Sequence, residues 1–368
     1  MNLPPFLLDH WLGAYEFASP PIRYNLAAST GPKWTLGELQ ALGAGLDLSD
    51  VKINYAAPAG SAALRQAIGG FLGVDPDWVV STTGASEALS ILFCLAAHPG
   101  ANVVLPVLAF PAFDAMAAAW GLGTRHYALS RNDGYRHQPE HLLAAADTAT
   151  VLALVNSPHN PTGAVVQAKD IGALAAGFAK RRVPLIVDEV YHPLYFSGPR
   201  PSAAAIPNVI AMGDMSKAMS LAGLRLGWIV DADADRRKRI VDARSYFTIS
   251  GSPILEALAA HALTNSAIIL DRLSAVATAN LKALSDFMDS VSDTLAWAKP
   301  DGGTVAFPWF RDGRDSRPFC ESLAKAGVLV APGDCFGQPS HMRVGFAAQA
   351  DGFADALAIF ERTLRNRS

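Results

Sequence analysis

A chain of 368 residues is long enough for a generous core and two subdomains. Its net charge of −3, with 51% hydrophobic and 17% charged residues, carries no bias toward nucleic acid or an anionic membrane surface. Three cysteines, Cys94, Cys320 and Cys335, are too few and too scattered for a disulfide framework or a zinc site, so no metal is expected.

Residues 1–10 hold no basic segment followed by a long apolar stretch, and the longest apolar runs fall short of a bilayer span. A cytoplasmic protein with no membrane partner is the expectation. Residues 1–50 read as mostly loops. From there short apolar runs recur at 78–81, 102–107, 151–155, 183–187, 209–212 and 226–230, separated by helix-length stretches such as 86–97, 111–120 and 169–181. Such alternation predicts an α/β fold, a mostly parallel sheet covered on both faces in three layers. The cluster Arg236-Arg237-Lys238-Arg239 after Asp231, Asp233 and Asp235 reads as a solvated helix face. After Pro253 alanine-rich helices run to 292, and the end shows short strands, a helix at 316–326 and a closing helix at 350–365. The expected division is a large domain at 51–255 and a smaller α+β domain built from 1–50 and 256–368.

The residues able to do chemistry fall at the predicted strand ends, where open α/β sheets bind ligands. Thr82-Thr83-Gly84-Ala85-Ser86-Glu87 is a small-residue turn opening a helix. Its free N–H groups and the Ser86 hydroxyl suit a phosphate, although an ordinary capped helix start has the same look. In Asn156-Ser157-Pro158-His159-Asn160-Pro161-Thr162-Gly163 two prolines and a glycine hold the Asn160 amide in one orientation, while His159 reads as structural. The run 183–187 delivers Asp188 into a buried position, where a carboxylate needs a cationic or proton-donating partner. A capping role is the alternative. Tyr191 can point into the same space, and Glu189 is expected to face elsewhere.

Lys217 lies between two apolar runs, with Arg225 eight residues on. Desolvation lowers a lysine's pKa and frees its lone pair, which suits a Schiff-base nucleophile. Phosphate cradle, fixed amide, buried carboxylate with tyrosine, and lysine with arginine together describe the needs of pyridoxal 5′-phosphate. That cofactor carries a phosphate, a phenolic oxygen, a ring nitrogen to keep protonated, and an aldehyde.

With these motifs in this order the chain resembles the class I/II aminotransferases, fold-type-I enzymes dependent on pyridoxal phosphate, over nearly its whole length. The resemblance implies transfer of an amino group between an amino acid and a 2-oxo acid. It implies Lys217 as the lysine that bonds the cofactor and shuttles the α proton, and Asp188 as the partner of the pyridinium nitrogen. Asn160 and Tyr191 would bond the phenolic oxygen, Phe110 would stack on the ring, and Ala85, Ser86, Ser216 and Arg225 would hold the phosphate. In Met342-Arg343-Val344-Gly345-Phe346, Arg343 matches the arginine that clamps the substrate's α-carboxylate, a pairing that favours arginine's fork over lysine. The resemblance also puts Ser29, Thr30 and Gly31, of the N-terminal loop, beside Asn160 on the substrate side. Asn54-Tyr55 matches a segment whose tyrosine reaches the neighbouring subunit's phosphate, so a homodimer with shared sites is expected.

One position departs from the family pattern. Where a serine or threonine often contacts phosphate, three residues before the lysine, this chain has Asp214. The expectation is that it turns away or pairs with a cation. Three further segments, Trp34 to Leu39, Tyr246 to Ser250 and Gly333 to Gln338, resemble the capreomycidine synthases, a branch that eliminates and cyclises a hydroxyarginine. β-Elimination or cyclisation is therefore the alternative chemistry. A non-catalytic module derived from such an enzyme is a third reading, disfavoured by the intact catalytic set and the lack of a helix-turn-helix module.

Overall fold

The computed structural model describes residues 3–366. Its centre is a seven-stranded sheet in the spatial order Val79–Thr82, Gly227–Asp231, Val209–Asp214, Leu185–Asp188, Thr150–Asn156, Asn102–Val107 and Gly123–Ala128. Gly227–Asp231 runs antiparallel to both neighbours, and the remaining pairs are parallel. Successive side chains feed opposite faces, as the strand period of two requires. Leu185 and Val187 belong to one hydrophobic cluster and Ile186 to the other; Val104 and Val103 divide in the same way. Both faces are thus dry, which is why these strands read as unbroken apolar runs.

Helix Gly84–Ala96 packs Ala88, Leu92 and Phe93 into one cluster, and Ala168–Ala179 packs Leu174 and Phe178 into the other. Beyond the sheet, Pro253–Thr264 and the long Ser266–Ser290 lead to the last part of the chain. There Met342–Gly345 lies between Val305–Ala306 and Ala331–Pro332.

The two ends of the chain meet. Tyr24–Asn25 pairs in parallel with Val328–Leu329, and Trp11 Nε1 donates to Val330 O at 2.9 Å. The first fifty residues are less loop-like than expected. They include helix Leu7–Glu16, which buries Leu8 and Trp11 one turn apart, and the short Leu36–Gln40, closed by a Thr35/Glu38 capping box. The basic cluster on helix Ala234–Phe247 is only partly solvated. Arg236 forks onto buried Asp231 at 2.5 and 2.7 Å, and Arg237 Nη1 reaches Asp231 O at 2.8 Å. Among the described residues no single helix is long and apolar enough to cross a membrane, and no group of three or more His, Cys, Asp or Glu side chains is arranged to hold a metal.

Candidate active site

The strand ends converge on one cavity, and Lys217 is part of its wall. Lys217 follows Val209–Asp214 in a turn closed by Leu221 N–H on Met215 O at 2.8 Å. Its Nζ donates to Ser29 Oγ at 2.8 Å. Burial pushes the amine down to about 8; Asp214 and Asp188 pull it back up, while Arg343 and Arg225 press it lower. An amine with this proton affinity carries a usable lone pair near neutral pH.

Asp188 closes the strand Leu185–Asp188 beside Asn156, its partner in the parallel register. Asn156 Nδ2 donates to Asp188 O at 3.1 Å, and Asn156 Oδ1 accepts from Asn160 N–H at 2.7 Å. One side chain therefore ties the Asn160 turn to the end of the neighbouring strand. Burial raises Asp188 to about 7, against the Val190 N–H that its Oδ1 accepts at 3.1 Å. An N–H cation set against this carboxylate would restore its charge. Tyr191 is buried, and its hydroxyl, near Ser29 and Thr304, makes no hydrogen bond of good geometry. Glu189 turns to the far side, onto Ser202 Oγ at 2.5 Å and Ala203 N at 2.8 Å. His159 lies outside the cavity lining, bonded to Thr162 Oγ1 at 2.8 Å and Leu108 O at 3.1 Å.

The candidate phosphate cradle is the start of helix Gly84–Ala96, with Ala85 and Ser86 on the cavity wall. Two glycines let it form. A Cβ at Gly227 would stand 2.6 Å from Gly84 C, and one at Gly84, whose φ is +74°, would meet Arg225 Nη2 at 2.6 Å. The arginine thus lies across the helix start, its Nη1 donating to Ser216 Oγ at 3.3 Å. Asp214 does not turn away, and its bonds go to no cation. It lines the cavity, accepting from Ser216 N–H and Oγ and from Ala85 N–H. Local backbone and hydroxyl donors take its hydrogen bonds, and its charge acts on the Lys217 amine without a hydrogen bond to it.

Arg343 arrives from the opposite side on Met342–Gly345 and is 2% exposed. Nη1 donates to Asn160 Oδ1 at 3.2 Å and Nη2 to Ala27 O at 2.8 Å, while Nε has no partner. An unmatched guanidinium edge facing a cavity suits a carboxylate. Phe110 also lines the cavity, edge-on to Phe6 and Phe113 at 5.8 and 6.0 Å.

One expectation is met only in part. The Ser29-Thr30-Gly31 loop lends Ser29 to the cavity wall rather than Thr30 or Gly31, and Gly31 is packed against Ser220 and Leu273. Tyr55 is 79% exposed and outside the cavity of its own chain. Sequence reasoning missed Phe113, Met116 and the helix residues Leu8 and Leu12, all on the cavity wall. Phe113, three residues after Phe110 on a helix start, is the one that spacing could have found.

The donor set fits pyridoxal 5′-phosphate. A free tyrosine hydroxyl and the Asn160 side chain would meet an oxygen, a buried carboxylate a ring N–H, a lysine an aldehyde, and a helix start with an arginine a phosphate.

Comparison with known proteins agrees. The family described as Aminotransferase class I and II matches residues 40–357. Capreomycidine synthase of Streptomyces vinaceus is 32% identical over 98% of this chain and 94% of its own length. A crystal structure of a pyridoxal-phosphate-dependent aminotransferase from Streptococcus suis superposes with a TM-score of 0.92 at 25% identity, covering 100% of this chain and 99% of that one. The pyridoxal-phosphate-dependent cyclase OrfR gives a TM-score of 0.90 at 26% identity, again over 100% and 99%.

Proposed function

This chain belongs to the class I and II aminotransferases, enzymes that use pyridoxal 5′-phosphate, and from that premise we propose how its own residues divide the work. The activity is amino-group transfer between an amino acid and a 2-oxo acid. When bound, the cofactor supplies an aldehyde and an electron sink. Lys217 bonds the aldehyde and moves the proton at the substrate's α carbon, helped by an amine lowered to about 8. Asp188 holds the proton on the ring nitrogen. Asn160 and Tyr191 bond the phenolic oxygen, and Phe110 covers the ring. Ala85, Ser86, Ser216 and Arg225 take the phosphate. Arg343 clamps the α-carboxylate, with Asn160 and, from the Ser29-Thr30-Gly31 loop, Ser29 on the substrate side.

The single observation that carries this reading is the convergence of Lys217, Asp188 and Arg343 on one cavity, with the guanidinium enclosed and its Nε unpaired. We also read the protein as a homodimer. Its support is Tyr55, exposed and outside the lining of its own cavity, near Ile53 in sequence, itself 85% exposed, as a residue serving the partner's phosphate would be.

Likeness to capreomycidine synthase and to a cyclase supports a second reading, in which the α proton leaves by the same base but a β leaving group is then expelled. An amino-donor screen against pyruvate and 2-oxoglutarate separates the two. New alanine or glutamate supports transfer; released ammonia or a cyclised product, with no new amino acid, overturns it in favour of elimination.

A further inference from the structure

The phosphate cradle already contains an anion of the protein's own. Asp214 Oδ1 accepts from Ser216 N–H at 2.8 Å, and its Oδ2 from Ser216 Oγ at 2.9 Å and from Ala85 N–H at 3.5 Å. Ala85 N–H is among the free donors of the first turn of Gly84–Ala96. The Ser216 hydroxyl is also the group through which Arg225 is tethered, and Arg225 reaches Ser216 and Ala222 O rather than this carboxylate. Asp214 is 7% exposed and forms part of the cavity wall. Two of the four residues assigned above to a phosphate, Ala85 and Ser216, therefore already donate to a buried aspartate.

We propose that Asp214 is a resident anion that competes with the cofactor phosphate for the cradle and sets how weakly the cofactor is held. The inference rests on the reading that the phosphate binds at the start of helix Gly84–Ala96. A cradle built only to retain a dianion offers neutral or cationic donors. Here a phosphate arriving at Ala85 N–H and Ser216 meets a like charge that is 7% exposed, where repulsion is stronger than in bulk water. The phosphate gains these donors only as the carboxylate gives them up. Retention then leans more on the covalent bond to Lys217, and forms of the cofactor without that bond leave readily. The device makes the cofactor exchangeable in an enzyme whose other contacts would hold it fast.

The test uses pyridoxamine 5′-phosphate, which has no aldehyde and cannot bond Lys217, so that its affinity reports the cradle alone. Its dissociation constant is measured by calorimetry for the full-length apo protein and for Asp214→Ser and Asp214→Asn, with inorganic phosphate as a second probe. Asp214→Ser is expected to bind about tenfold tighter or better, the order for removing one like charge from a partly hydrated phosphate site. Asp214→Asn, which keeps the shape, should move the same way and guards against a fold defect, checked by circular dichroism. Equal or weaker binding by both folded variants would overturn the proposal while leaving the cofactor assignment intact. If neither pyridoxal nor pyridoxamine 5′-phosphate binds any form, the cofactor site itself is misassigned and this proposal goes with it.

Discussion

Arg343 Nη1 donates to Asn160 Oδ1 at 3.2 Å, joining residues 183 positions apart in the chain. The guanidinium is further fixed by Ala27 O and by the Phe336 ring, whose centroid is 5.1 Å from Cζ. One hydrogen bond thus orients both the group proposed for the substrate carboxylate and the amide proposed for the cofactor's phenolic oxygen. Arg343→Lys keeps the charge and loses the fork. Its kcat/KM for the amino acid should fall about a hundredfold, the scale of one charge-assisted hydrogen bond with its partner left unpaired. Cofactor affinity should barely change. Steady-state kinetics beside a cofactor titration checks both, and a variant that sheds cofactor would count against the carboxylate role.

The Lys217 amine makes a pH prediction. Burial holds it at about 8 against an ordinary 10.5, so the rate at which added pyridoxal phosphate bonds the apo protein should climb through pH 8 and level off well below 10.5. The sign in stability follows. Between about 8 and 10.5 the unfolded chain keeps a proton that the folded one has lost, so apo stability gains from this group as pH rises. Stopped-flow absorbance across that range reads the rate; a profile still rising at pH 10 would mean the amine is not desolvated.

Asp188 behaves in the opposite sense. Burial is the main cause of its rise to about 7, and Asp214 and Glu189 add to it. Between 3.8 and about 7 the folded protein holds a proton that the unfolded chain has released, so this group's contribution falls as pH rises and its cost is complete above 7. Asp188→Asn should therefore melt higher than wild type without cofactor at pH 8, with the gap closing toward pH 4. Turnover should drop about a hundredfold or more, as when a preorganised electrostatic partner is lost. Scanning calorimetry at several pH values and an activity assay measure the two halves. A variant that melts lower at pH 8 would contradict the assigned burial cost.

How much of this was legible in the sequence depended on whether a feature is local. Six of the seven central strands announced themselves because both faces are dry and the residues run apolar without a break. The seventh, Gly123–Ala128, lies at the sheet edge and buries only Tyr127, so Thr124, Arg125 and His126 conceal it. Lys217, Asp188 and Asn160 stood out because strand ends and prolines mark them. Leu8 and Leu12 did not, because they reach the cavity only when the first part of the chain docks on the last, through contacts such as Trp11 on Val330. Asp214 was misread for a related reason. Its partners are mainly backbone N–H groups, and one belongs to a helix 129 positions earlier. No side-chain pattern reports such donors.

Tyr55 carries the prediction about assembly. Its side chain is 79% exposed and is not part of its own cavity's lining, although the segment before helix Ala62–Leu72 is anchored at Ser61, whose N–H donates to Glu256 Oε2 at 2.8 Å. On the proposed homodimer reading, a tyrosine held outward on an anchored segment is available to the partner's site. Tyr55→Ala alone should weaken cofactor binding about tenfold, the cost of one hydrogen bond to a charged group. Lys217→Ala alone should abolish turnover. Refolded together, the two variants form hybrids in which one site combines its own Lys217 with the partner's Tyr55. Random pairing of equal amounts then restores about a quarter of the wild-type sites, by the symmetry of a two-fold dimer. Turnover at low cofactor concentration in the mixture, above the sum of the separate variants, is the expected result. Strict additivity, or a monomer with full activity in sedimentation, would refute the shared site.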